Sequence, residues 1–316
     1  MIGHRLAKVV GAVERRLWPR SPVILIYHRL GDPDRDMWGV VVSPERFAEQ
    51  IEALQSVRRV VGLTELIDRA RDGRPSDPPL AAVTFDDGYV DAFRLARPIL
   101  QRLDCPATVF VAAGLIDAPL EFWWDELEFI FLQTASLPDT LPGELAGDSK
   151  PRAMSDRGQR AGACHGLRRV FRDLPTEVIE TRLAALRAWA GVPRPARDEH
   201  RVMNSSEIAE LDDDLVSVGA HTMTHPSLPS LSPREQAAEI AESRRRCEAI
   251  TGAPVAHFAY PFGRYNAASV AAVKGSGFAS ACATAAGVVR PSTDPFALPR
   301  LSPGQMDGEA LLKALA

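Results

Sequence analysis

Leu80-Ala81-Ala82-Val83-Thr84-Phe85-Asp86-Asp87-Gly88 is an unbroken run of apolar residues and one threonine, ending on two adjacent carboxylates and a glycine. A run of this length without alternation reads as a strand covered on both faces, the kind found in parallel sheets. Folding alone gives little reason for its end. Two like charges side by side against a buried strand are costly unless a cation or a proton offsets them. An exposed Asp-Asp-Gly turn is the ordinary alternative, and the apolar residues ahead of it argue against that. Asp86 and Asp87 are the first candidate site residues.

The same pattern recurs on both sides of this stretch. Val23–Tyr27 is apolar and ends in His28, and Val216–Ala220 ends in His221. Residues 107–112, 255–260, 278–283 and 296–298 read as further strands, the last ending in Arg300. Helices fall between them. Ser43-Pro44 is a cap and first turn, followed by Phe47, Ile51 and Leu54 at helical spacing. Thr64 opens another helix, which Gly73 can close. Phe93, Ala96, Ile99, Leu100 and Leu103 mark a third. Ser232-Pro233-Arg234-Glu235 is a capping box opening a helix that stops near Gly252, and residues 266–276 read as one more. Strands alternating with helices predict an α/β fold with a parallel sheet. Polar residues recur at C-terminal strand ends, as they do around the mouth of a barrel. No glycine-rich dinucleotide fingerprint follows the first strand, which argues against an open doubly wound sheet.

Residues 114–200 break the rhythm. Trp123-Trp124-Asp125-Glu126-Leu127 is followed by a Pro/Gly/Ser-rich stretch near 137–156 and a helix over Thr176–Ala190 with Gly191 beyond it. This reads as an insertion on the barrel, partly mobile near 137–160, with too few apolar residues for a second core. The expected organisation is thus an N-terminal segment over 1–21 and a barrel over 22–316.

The chain has 316 residues, of which 46% are hydrophobic, and a formal net charge of −4. That charge gives no reason to expect a nucleic-acid surface. Cys105, Cys164, Cys247 and Cys282 form no CxxC pair and read as reduced core thiols, compatible with a cytoplasmic location. No apolar run is long enough to span a membrane. Residues 1–20 mix Arg5, Lys8, Arg15, Arg16 and Arg20 with Val9, Val10, Val13, Leu17 and Trp18. Such a basic amphipathic segment suits either peripheral membrane contact or packing on the domain.

His221-Thr222-Met223-Thr224-His225 is the second chemical signal. Histidines four apart lie on one face of a helical turn, so both rings can reach one ion. Two imidazoles and a carboxylate are a common catalytic zinc set, and Asp87 is the candidate carboxylate. Cobalt, manganese or nickel can substitute in such a site. The third signal is Tyr260-Pro261-Phe262-Gly263, a rigid turn at a strand end. It can offer backbone N–H groups to an oxyanion and a wall to a sugar ring. Tyr260, Pro261 and Tyr89 are the candidate substrate contacts.

Together the three motifs resemble the polysaccharide deacetylase family, the NodB-homology or carbohydrate esterase 4 group. Thr84-Phe85-Asp86-Asp87-Gly88 matches the first family motif, His221-Thr222-Met223-Thr224-His225 the second, and Tyr260-Pro261-Phe262-Gly263 the third loosely. The likeness covers roughly residues 22–113 and 202–303. It implies a distorted (β/α)7-type TIM-like barrel and hydrolysis of an N-acetyl group on a saccharide, in a polysaccharide or a glycolipid intermediate. It also implies one divalent ion on Asp87, His221 and His225, with Asp86 as general base and the Phe262 N–H at the oxyanion. Removal of another acyl group, such as formyl, from a lipid-linked sugar or other amide is the second enzymatic reading. An inactive saccharide-binding protein is the reading from another class.

The sequence departs from the family pattern twice. Ala259 stands where an Arg normally orients the base, and Arg300 is the candidate replacement. The late Leu-x-His that normally supplies the acid is absent, because no histidine follows His257. His28, at the end of the first strand, is the candidate acid. His257 lies within a strand and reads as structural; His4, His165 and His200 suggest no site.

Overall fold

Leu80–Phe85 is a strand buried along its whole length. It belongs to a parallel sheet of β1 (Val23–Tyr27), β2 (Arg59–Val60), β3 (Leu80–Phe85), β4 (Ala107–Val111), β5 (Val216–Ala220), β6 (His257–Ala259) and β7 (Ser280–Cys282). The spatial order is β1-β3-β4-β5-β6-β7, with β2 also on β3. The computed structural model describes residues 20–73, 76–147, 149–211 and 213–316. The expected amphipathic segment before residue 20 lies outside them.

The register gathers the strand exits at one end. Tyr27 pairs with Phe85 and Phe85 with Val109; Val111 pairs with Ala220 and Ala220 with Phe258. His28, Asp86 and His221 therefore emerge together. The sheet then curls back on itself through residues 298–301. Leu298 bridges Cys282 on β7, and Leu301 bridges Leu25 on β1. The Leu301 N–H donates to the Ile24 carbonyl at 2.8 Å, and the Ile26 N–H donates to the Leu301 carbonyl at 2.9 Å. The result is the distorted barrel that the sequence implies. The strand expected at 296–298 is reduced to these single bridges, because Pro295 and Pro299 have no N–H to give a ladder.

The helices follow their local signals with two exceptions. Ser43 caps α1 (Pro44–Val57), whose buried face holds Phe47, Ile51 and Leu54. Gly62, not Thr64, caps α2 (Leu63–Arg71), and the Thr64 hydroxyl instead meets His257. The third helix is a π-helical turn over Ala92–Ala96 that runs into α3 (Arg97–Arg102). Pro98 lacks the N–H that would continue a regular ladder there.

The segment between β4 and β5 corrects the reading of residues 114–200. It contains α4 (Trp123–Glu128), α5 (Arg157–Phe171) and α6 (Thr176–Ala190), and it has a hydrophobic core of its own. Leu127, Phe131, Leu167, Phe171, Leu183 and Leu186 are fully buried together in it. These residues come from three separated stretches, none of which looks like a core alone. The stretch expected to be a mobile loop pairs Thr140–Leu141 with Arg152–Ala153, antiparallel. Arg197 ties the two ends of the segment by ion pairs to Glu121 at 2.6 Å and Glu128 at 2.9 Å. α7 (Ser205–Leu211) leads into β5, and α8 (Pro233–Thr251) follows that strand, with the expected Ser232–Glu235 capping box.

His257 is buried at the base of β6, between the Thr64 hydroxyl at 2.8 Å and the Ser280 hydroxyl at 2.9 Å. Burial pushes its pKa down from 6.5 to about 4, with Asp68 opposing. The unfolded chain therefore takes up this proton before the folded one. Stability is complete above the unfolded value and falls as pH drops through the window between the two. His257→Gln should remove this loss. In urea unfolding, wild type should lose roughly 3 kcal/mol more than the variant on acidification across that window. Parallel stability curves would remove His257 from the account.

Candidate active site

The two carboxylates at the exit of β3 have opposite partners. Asp86 accepts two hydrogen bonds from Arg300, from Nη1 at 2.7 Å and from Nη2 at 2.6 Å. Arg300 is fully buried. Its Nε donates to the Ala283 carbonyl at 2.8 Å, and Nη1 also donates to the Thr84 hydroxyl at 3.1 Å. The guanidinium is thus fixed at every face before it meets the carboxylate. Burial pushes the Asp86 pKa up, but Arg300, with His221 behind it, more than reverses this and holds the group below its ordinary value. The bidentate fork needs an arginine.

Asp87 turns the other way because its φ is 71°. Gly88 follows with φ +79°, and a Cβ there would lie 2.8 Å from Val111 Cγ1. The backbone must pass β4 closely to aim Asp87, and only glycine permits it. The Asp87 Oδ1 lies 3.1 Å from His225 Nε2 and 3.4 Å from His221 Nε2. Burial raises the Asp87 pKa, and the two imidazoles more than reverse it, holding the group well below its ordinary value. His221 Nδ1 lies 2.7 Å from the Ala259 carbonyl. A carbonyl only accepts, so Nδ1 carries the proton and the Nε2 lone pair faces Asp87.

His225 arrives by a route the sequence did not suggest. Its segment is not a helical turn: Thr222 and His225 have φ of 66° and 56°. Glu239 on α8 holds the loop, accepting from the Met223 N–H at 2.8 Å, the Thr224 N–H at 2.9 Å and the Thr224 hydroxyl at 2.8 Å. From the other side, the Gly114 N–H donates to the Met223 carbonyl at 2.8 Å. The His225 ring then packs edge-on against Phe262 at 4.6 Å and Trp124 at 4.9 Å. Among the described residues, six non-glycine residues have positive φ, and Asp87, Thr222, His225 and Phe262 are four of them. Such conformations cost about 1–3 kcal/mol each and cluster at functional sites.

One ligand atom from each of Asp87, His221 and His225 lies within 4.8 Å of the others, and all three residues are buried. The donor set and the His221 tautomer fit a divalent ion. His28 lines the same small cleft as Asp86 and Asp87 without joining the donor cluster. The Phe262 ring also faces this cleft.

Three expected substrate contacts are corrected. Tyr260 is fully buried, with its hydroxyl donating to the Phe296 carbonyl at 3.0 Å. Pro261 is buried beneath the turn and does not line the cleft. Tyr89 is buried and donates to Asp125 Oδ2 at 2.5 Å while accepting from Trp124 Nε1 at 2.8 Å. It positions Trp124, which does line the cleft. Trp38, Arg168 and Thr284 line it too, and Glu239 shapes it from behind. No sequence motif marks these.

The sequence profile of the family described as polysaccharide deacetylase matches residues 73–168 and 195–281. The first range continues past β4 into the segment that reads as an insertion. A Bacillus subtilis protein named as a polysaccharide deacetylase, YxkH, is 28% identical over 110 residues, which is 34% of this chain and 39% of that protein. The poly-β-1,6-N-acetyl-D-glucosamine N-deacetylase of Escherichia coli is 26% identical over 106 residues, 33% of this chain and 16% of that protein. The matches therefore span less than half the length of these curated relatives. The Streptococcus pyogenes deacetylase PplD, solved with acetate, superposes with a TM-score of 0.63 at 17% identity, covering 94% of this chain and 98% of that one. The shared barrel and a profile match over more than half of the residues lead to one conclusion: this chain belongs to the polysaccharide deacetylase family.

Proposed function

We propose that the protein is a metal-dependent hydrolase that removes the N-acetyl group of an amino sugar in a polysaccharide or glycolipid intermediate. The observation that carries this reading is the pairing of Asp86, fixed by Arg300, with the three-donor cluster next to it. The E. coli relative, named for N-deacetylation of an N-acetylglucosamine polymer, supports the chemistry. The cleft between them is only about 60 Å³, which suits a short acyl group.

Asp87, His221 and His225 would hold the ion, which when bound supplies Lewis-acid polarisation of the acyl carbonyl. Asp86 accepts a proton from the attacking water as its oxygen bonds to the acyl carbon. Arg300 keeps that carboxylate ionised and aimed. The Phe262 N–H holds the oxyanion. The C–N bond then breaks, and His28 gives its proton to the leaving nitrogen, which would otherwise depart as an amide anion.

The experiment is release of acetate or formate from N-acylated glucosamine oligomers by the purified protein. Acetate release should stop with a chelator and return with added zinc. Tight metal binding without release of either acid from any N-acyl saccharide would defeat the reading in favour of a binding protein. For the acid, His28→Ala should lower turnover by about a hundredfold or more with unchanged metal content. Turnover near wild type in that variant would place the proton donor elsewhere.

A further inference from the structure

Among the described residues that line the cleft, the Arg168 guanidinium stands without a hydrogen-bonded or ion-paired carboxylate. Asp86 is neutralised by Arg300, and Asp87 faces two imidazoles. Arg168, from the last turn of α5, lines the same cleft. Its guanidinium makes neither a hydrogen bond nor a salt bridge to any described residue. Its guanidinium is instead laid over the Trp38 ring, 4.6 Å from the centroid, and Trp38 also lines the cleft. The ring face holds the guanidinium in place by a cation–π contact, and its N–H groups remain for a partner.

The helix that carries it has the same bias. α5 contains Arg157, Arg160, Arg168 and Arg169 and no acidic residue, in a chain whose formal net charge is −4. Its Arg160 is used up on the carbonyls of Thr134 and Met154. A half-buried, pre-oriented guanidinium beside a site that also takes a divalent cation calls for an anion. A bidentate, charge-assisted pair with phosphate or carboxylate is the contact such a group makes best.

We propose that Arg168 is a specificity residue that selects N-acylated saccharides bearing an anionic group, phosphate or carboxylate, on or beside the sugar that is deacylated. This rests on the hydrolase reading above and deepens it by naming the substrate class. The anion meets the N–H groups of Arg168, while the acyl group lies beside Asp86.

The test compares wild type, Arg168→Ala and Arg168→Lys on four probes. These are methyl N-acetylglucosaminide as the neutral reference, N-acetylglucosamine 1-phosphate, N-acetylglucosamine 6-phosphate and a glucuronyl-N-acetylglucosamine disaccharide. Binding is measured by calorimetry on the zinc-loaded protein, and again after chelation so that the ion cannot supply the preference. At least one anionic probe should bind about tenfold or more tighter than the neutral one. Arg168→Ala should abolish that advantage, Arg168→Lys should keep part of it, and KM rather than kcat should carry the change. The phosphate and disaccharide arms decide which anion is meant. Equal affinity of wild type for all four probes, or a charge preference that survives Arg168→Ala, would overturn the proposal. Failure to release acetate from any probe would count against the hydrolase reading alone, because the binding comparison stands without turnover.

Discussion

Asp86→Asn should lower acyl hydrolysis by about two to four orders of magnitude, the range for loss of a general base. The amide has no lone pair of comparable basicity, while its oxygen still accepts from Arg300. Metal binding should persist, because the donors belong to Asp87, His221 and His225. Asp87→Ala gives the contrast: zinc binding and turnover fall together. Titration of the metal content of both variants, beside acetate release, separates the two carboxylates. Near-wild-type turnover in Asp86→Asn would remove it as the base, and loss of zinc from that variant would make it a ligand.

Arg300→Ala should be costly in two ways. It leaves Asp86 buried without its cation, and breaking a buried pair by deleting one partner costs about 3–5 kcal/mol. Urea unfolding near neutral pH reads that loss. Turnover should also collapse at temperatures where the variant is folded, because among the described residues Arg300 alone hydrogen-bonds the carboxylate. Arg300→Lys should recover little of either, since a single ammonium cannot reproduce the two contacts at 2.7 Å and 2.6 Å. A variant as stable and active as wild type would show that the guanidinium neither offsets the Asp86 charge nor orients it.

The sequence made some of this legible and hid the rest for physical reasons. The apolar strand before Asp86 and Asp87 and the histidines after Val216–Ala220 were readable because burial and chemistry conflict there. Arg300 was readable only as a substitute for a missing residue; its pairing with Asp86 depends on barrel closure. The convergence of His221 and His225 was anticipated, but not its cause, since left-handed residues held by Glu239 replace the helical turn. Tyr89 and Tyr260 misled because an aromatic at a strand end can face the mouth or the core, and only packing decides. The core of residues 114–200 was invisible because three distant stretches share it.

The seam at residues 298–301 has a consequence for the order in which the site is completed. All three residues of the candidate metal site are present once the chain has emerged through His225. The guanidinium that aims Asp86 belongs to the segment that joins β7 to β1, the last stave to be laid. A nascent chain can therefore carry all three candidate ligands before the side chain that fixes Asp86 has been made. The segment whose backbone seals the barrel thus also carries the side chain that fixes Asp86.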